Sequence, residues 1–139
     1  LLVTQSTGTG PGSLPAAINC ANSGDTIKLN TNLSNLLINT GSSTISLDKN
    51  LVIIALGANT NISCGCSSVF TINSGKSIEF KDLKLSAGTS LSAGVLTNNG
   101  ILKLNNVNVY GNPGFQGATL ILNNIGASAT MMGLSFIWE

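Results

Sequence analysis

The sequence predicts an all-β chain wound as a β-solenoid, with one short helix near its amino terminus. Three observations predict this. Apolar and polar residues alternate in short runs through most of the chain, which is the period of strands and not of helices. One run recurs at a fixed offset: Ile78-Glu79-Phe80-Lys81-Asp82-Leu83-Lys84-Leu85 matches Leu102-Lys103-Leu104-Asn105-Asn106-Val107-Asn108-Val109, 24 residues later. The polarity is carried by neutral side chains. The 139 residues include 18 Asn, 17 Ser, 13 Thr and 16 Gly, against only 8% charged residues. Exposed helix faces usually carry Glu and Lys, so this composition suits strands and tight corners.

The elements run in order. Leu1-Leu2-Val3-Thr4 reads as a short strand and Gly8-Thr9-Gly10-Pro11-Gly12 as a loop. Ser13 is placed as a helix N-cap and Pro15 falls in the first turn, where its missing N–H is harmless. Leu14, Ala17, Ile18 and Ala21 follow i, i+3, i+4, i+7 and make one apolar face. Asn22-Ser23-Gly24 ends this helix, with Gly24 as its left-handed residue. From Asp25 the period becomes two, in Thr26–Leu29, Thr44–Leu47, Val69–Ile72 and Ile78–Phe80. The apolar run Leu51–Leu56 fits a buried strand.

Two further segments fit the same apolar-x-apolar-polar-polar-apolar pattern. They are Leu120-Ile121-Leu122-Asn123-Asn124-Ile125 and, one residue longer at the corner, Ile45-Ser46-Leu47-Asp48-Lys49-Asn50-Leu51. An imperfect repeat of this size, built from short strands and polar corners, points to stacked coils. Dividing the length by the offset gives five or six of them. Inward side chains would stack on their equivalents, and corner Asn amides would bond to one another. A β-sandwich with similar strands is the competing fold, but it requires no fixed offset. The chain is read as one domain: strand, loop and cap helix over 1–24, coils over 25–125, and an apolar carboxy-terminal strand over 126–139.

A family resemblance rests on Gly10-Pro11-Gly12-Ser13-Leu14-Pro15-Ala16-Ala17-Ile18 followed by Ala21-Asn22-Ser23-Gly24-Asp25-Thr26-Ile27. This string resembles the amino-terminal cap signature of bacterial surface right-handed parallel β-helix proteins, G-x-G-S-L-R-x-A-I and then G-D-T-I. The resemblance covers about residues 2 to 110. It implies a right-handed parallel β-helix whose first helix closes one end of the core. Pro15 stands where that family has Arg, so whatever anchoring the Arg provides is absent here.

Composition excludes several chemistries. The chain has no His and no Arg; all six cations are Lys, and the net charge is +1. A His-based triad or His metal site is ruled out, and clustered phosphate contacts to nucleic acid are not expected. No apolar run reaches the 18 residues a membrane helix needs. Asp25 is assigned to the cap turn as an acceptor of backbone N–H groups. Asp48 and Asp82 are corner residues beside Lys49 and Lys81, and Glu79 points outward, so no catalytic carboxylate pair is assigned. The Asn-Leu-Ser and Asn-Ile-Ser sequons at Asn32 and Asn61 are chance matches in so Asn-rich a chain. Cys20, Cys64 and Cys66 are read either as buried small residues or as one disulfide plus a free thiol, Cys20 pairing with Cys64 or Cys66. Cys64-Gly65-Cys66 lacks C-x-x-C spacing and a fourth ligand, so no zinc site is expected. No cofactor is expected.

The segment Thr130–Trp138 is apolar. One helix can cover only one end of a solenoid, so Met131, Met132, Leu134, Phe136, Ile137 and Trp138 are candidates for self-association by strand addition or coil stacking; Phe115 adds a nearby aromatic. The expected role is that of a non-catalytic, extracellular or cell-surface structural or adhesive protein. Its expected partners are copies of itself, with surface glycans second. Alternatives are a carbohydrate-binding or polysaccharide-lyase-like β-helix module, and a fragment of a longer adhesin, which the lack of an initiator Met admits.

Overall fold

A computed structural model of the chain describes residues 1–66, 68–86, 95–111, 121–133 and 135–138. Strand β1 (Leu2–Val3) and helix α1 (Leu14–Cys20) precede β2 (Thr26–Leu29), β3 (Leu37–Asn39) and β4 (Ile45–Leu47). The second coil holds β5 (Leu51–Ala55), β6 (Asn61–Ser63) and β7 (Phe70–Ile72). The third holds β8 (Ser77–Lys81), β9 (Lys84–Ser86) and β10 (Leu96–Asn98). The fourth holds β11 (Ile101–Asn105), β12 (Asn108–Gly111) and β13 (Ile121–Asn123); β14 (Ser128–Met132) and β15 (Ser135–Trp138) come last.

These strands stack into three sheets, ordered β1-β2-β5-β8-β11-β14, β4-β7-β10-β13 and β3-β6-β9-β12-β15. Each pairing is parallel, between strands of successive coils. The chain is therefore a parallel β-solenoid. The described residues form four complete three-strand coils, fewer than the five or six expected. The first residues go to β1 and α1, and long corners absorb others. The corner from the six-stranded to the five-stranded sheet takes five residues between Ala55 and Asn61 but two, Asp82-Leu83 and Asn106-Val107, in the next coils.

Register explains the repeat. Ile78 lies opposite Leu102 and Leu85 opposite Val109, so the offset of 24 is the climb of one coil. The other two segments belong elsewhere. Ile45–Leu47 and Ile121–Asn123 share the four-stranded sheet, and the residue above Leu102 in its own column is Ala129. Leu47 is buried on the inner face of that sheet, as the pattern expects, but the match at Leu122 is out of phase with the core: Ile121 and Asn123 hold the inward register positions, and Leu122 is exposed opposite Thr97.

The core is a set of stacked columns. One runs Ile27, Ile53, Phe80, Leu104, Met131; a second runs Ile38, Ile62, Leu85, Val109 and reaches the position of Phe136. Their residues are buried up to Leu104 and Val109. Phe70 and Phe80 meet across the core with ring centroids 5.4 Å apart.

The corners use Asn as expected. Asn35, Asn59, Asp82 and Asn106 have φ between 54° and 60°, and Gly133 has φ 58°. All mark the same corner, one per coil, where the chain turns through the left-handed region that Asn and Asp tolerate. Asn59 Nδ2 donates to Asn35 Oδ1 at 3.0 Å and Asn106 Nδ2 donates to Asp82 Oδ1 at 2.9 Å.

Helix α1 closes the lower end. Ser13 Oγ accepts from the Ala16 N–H at 3.3 Å, and Leu14, Ala17, Ile18 and Ala21 are all buried. The helix stops at Cys20, earlier than expected, with Ala21 extended. Gly24 (φ 101°) turns the chain into β2 and is not the helix cap. Asp25 accepts the Asn22 N–H at 2.8 Å. The carboxy-terminal carbonyls are taken by a lysine from the corner before the next coil: Lys49 Nζ donates to Ile18 O at 2.8 Å and to Asn19 O at 3.0 Å. A cation there also meets the negative end of the helix dipole. Lys49 thus anchors the cap from outside a helix that has no basic residue in its own last turn. Replacing Lys49 by Met is expected to lower stability by about 1–2 kcal/mol. Thermal unfolding monitored by circular dichroism checks this, and an unchanged midpoint would remove the anchoring role.

Candidate association surface

The upper end of the solenoid is built from β13, β14 and β15, the last strand of each sheet. Each pairs downward, with β10, β11 and β12. Among the described residues no strand pairs with their upper edges. An unpaired parallel edge presents N–H and C=O groups to any strand that can add to it.

The side chains there are unusually apolar. Met131 tops the inward column above Leu104 and is 39% exposed, with no described coil over it. Met132 continues the outward column of Lys28, Ile54, Lys81 and Asn105 and is 59% exposed. The two methionines therefore serve different faces, one the open core end and the other the side of the rod. Phe136, Ile137 and Trp138 hold the register positions opposite Val109, Tyr110 and Gly111. Leu134 and Phe115 lie outside the described residues.

Sequence reasoning missed two members of this surface. Leu122 is 36% exposed on β13, and Ile125 is wholly exposed at the tip of the β13–β14 turn. The signal was available. Asn73-Ser74-Gly75 and Asn124-Ile125-Gly126 are equivalent turns, each with Gly in the left-handed region (φ 78° and 86°), and Ile125 replaces the polar tip residue.

The cysteines differ from the pairing expected. Cys64 and Cys66 bond to each other across Gly65, with Cα atoms 5.1 Å apart, and Cys20 is an exposed free thiol on α1. The Gly65 N–H bonds to Gly41 O at 2.9 Å, folding the loop after β6 so that its own two cysteines meet.

The acidic residues are dispersed. Asp82 belongs to the corner ladder, and Glu79 lies opposite Lys103 on the outer face of the six-stranded sheet. Among the described residues no three His, Cys, Asp or Glu side chains group to hold a metal ion. The sequon asparagines are engaged: Asn32 Nδ2 donates to Thr4 O and Asn61 Oδ1 accepts from Ser86 Oγ. Among the described residues no helix is long and apolar enough to cross a membrane.

Fold and surface together define a parallel β-solenoid with one end closed by a helix and an apolar strand-edge surface at the other. No protein family, curated protein or solved structure matches the chain.

Proposed function

We propose that this chain is a non-catalytic, extracellular structural protein of the adhesive surface type, whose copies assemble end to end into a filament. The observation that carries the reading is the asymmetry of the two ends. Helix α1 seals the lower core, whereas the upper edges of β13, β14 and β15 are unpaired among the described residues and flanked by Leu122, Met131 and Met132. Edges of this kind are normally blunted by charge or covered. Here charge is scarce over the whole chain, which leaves little electrostatic protection against association. The Cys64–Cys66 disulfide fits an oxidising, extracellular compartment. The amino-terminal resemblance to bacterial surface β-helix proteins points the same way.

A contact between unlike ends does not close on itself and propagates as a fibre. Negative-stain imaging and sedimentation of the purified protein are expected to show filaments. A monodisperse monomer at high concentration would overturn the reading. Removal of residues 134–139, which takes away β15, is expected to abolish assembly; unchanged fibres would remove that segment from the contact.

A further inference from the structure

We propose that the Asn124-Ile125-Gly126 turn of one copy seats in the groove beneath the next copy, with Ile125 packed against Leu1, Leu2, Pro11, Ala16 and Cys20. This rests on the end-to-end reading above and names the contact that would join the copies. Two observations carry it. The first is Ile125 itself, a branched aliphatic side chain wholly exposed on a turn tip. The equivalent residue two coils below is Ser74, and the turn between them, Asn99-Gly100, is shorter and has no such tip. The second is a groove of about 270 Å³ at the opposite end, between β1 and α1, lined by the five residues just named with Gly12, Ser13 and Ala17. Leu1 and Leu2 are half exposed on its rim.

The two features match in chemistry and in place. Neither carries a charged side chain, and the groove's side chains suit an aliphatic occupant. They lie at opposite ends of one stack of parallel strands, because β1 begins the six-stranded sheet and β14, directly after the turn, ends it. A second copy therefore supplies the knob with the polarity already set, and each added copy regenerates the same pair of surfaces.

The groove also supplies its own probe, the free thiol of Cys20. Protein carrying Ile125→Cys and Cys20→Ser is mixed with the unaltered chain and mildly oxidised. A disulfide-linked dimer containing one chain of each kind is expected. Absence of that dimer from mixtures that form filaments would overturn the docking while leaving end-to-end assembly intact. In parallel, Ile125→Ser restores the residue type of Ser74 and should leave the thermal midpoint unchanged. It is expected to raise the concentration needed for assembly roughly 10- to 100-fold, the factor associated with burying one such side chain. Assembly of Ile125→Ser at the original concentration would overturn the docking alone. An unaltered chain that never assembles would overturn both readings.

Discussion

Replacing Phe80 by alanine is expected to lower the unfolding free energy by about 3–5 kcal/mol, the range for truncating a buried aromatic. Phe80 is wholly buried, lies between Ile53 below and Leu104 above, and meets Phe70 across the core. A solenoid is held together mainly by contacts between neighbouring coils. A cavity in the third coil therefore weakens two interfaces at once, the one beneath it and the one above. Against a typical total of about 5–15 kcal/mol, such a loss lowers the thermal midpoint by roughly 10–20 °C. Met131→Ala supplies the contrast. It stands in the same column but at its exposed top, with one neighbouring coil instead of two. Its expected loss is below about 1 kcal/mol, since little area leaves the interior. Thermal and urea unfolding of both variants measures the difference. Equal losses would mean that the column does not act as a continuous core.

The same column shows how much of this fold was legible in the sequence. Alternation and the offset between Ile78–Leu85 and Leu102–Val109 were readable, because the corners joining those strands are equally short in both coils. The face of Leu14, Ala17 and Ile18 was readable because a cap helix obeys ordinary helical periodicity; Ala21 is buried too, but as an extended residue just past the helix. Assignment of strands to sheets was not. Ile45–Leu47 alternates like Ile78–Phe80 yet lines another wall of the core, and in the segment matched at Leu122 it is Ile121 that holds the inward position while Leu122 is exposed. A triplet records only that one face is buried, and every wall of a coil satisfies that condition.

The association surface was legible in part for a related reason. Hydropathy marks residues 130–138 as a run, but a single apolar residue in a polar turn makes no run. Ile125 becomes conspicuous only after register aligns its turn with that of Ser74. Lys49 was hidden similarly. Its partners are the backbone carbonyls of Ile18 and Asn19, 31 and 30 residues earlier, and no side-chain pattern announces such a bond. The cysteine pairing depended on a loop fold set by the Gly65–Gly41 backbone bond.

The second large effect is expected at Asn98, where two rules of thumb predict opposite signs. Its column begins with Leu47 and Ile72, so an apolar replacement would extend an aliphatic stack. The residue is wholly buried, which strengthens that expectation. Its amide, however, is committed on nearly every valence. Nδ2 donates to Asn123 Oδ1 at 2.7 Å and to Ser128 O at 2.9 Å, and Oδ1 accepts from the buried Gly100 N–H at 3.0 Å. Water has little access to the Gly100 amide, and the backbone there is held close to its neighbours: a Cβ on Gly100 would run into the carbonyl oxygens of Lys76 and Asn73. A buried donor left unpaired costs about 1–3 kcal/mol, more than a neutral hydrogen bond contributes when both partners can return to water. Asn98→Ala adds a cavity to that loss, giving an expected destabilisation of about 2–4 kcal/mol. Asn98→Leu regains apolar contact but not the three bonds, and is also expected to destabilise. A Leu variant more stable than the parent would show that the column behaves as a plain hydrophobic stack. The effect should also be local. Asn98 ties β10 to β13 and to the start of β14, so hydrogen exchange should quicken first at Gly100 and in the strands it holds. Those strands carry Leu122, Met131 and Met132. A loosened upper coil would therefore assemble poorly even where the lower coils remain folded, which links a buried amide to the surface proposed to join the copies.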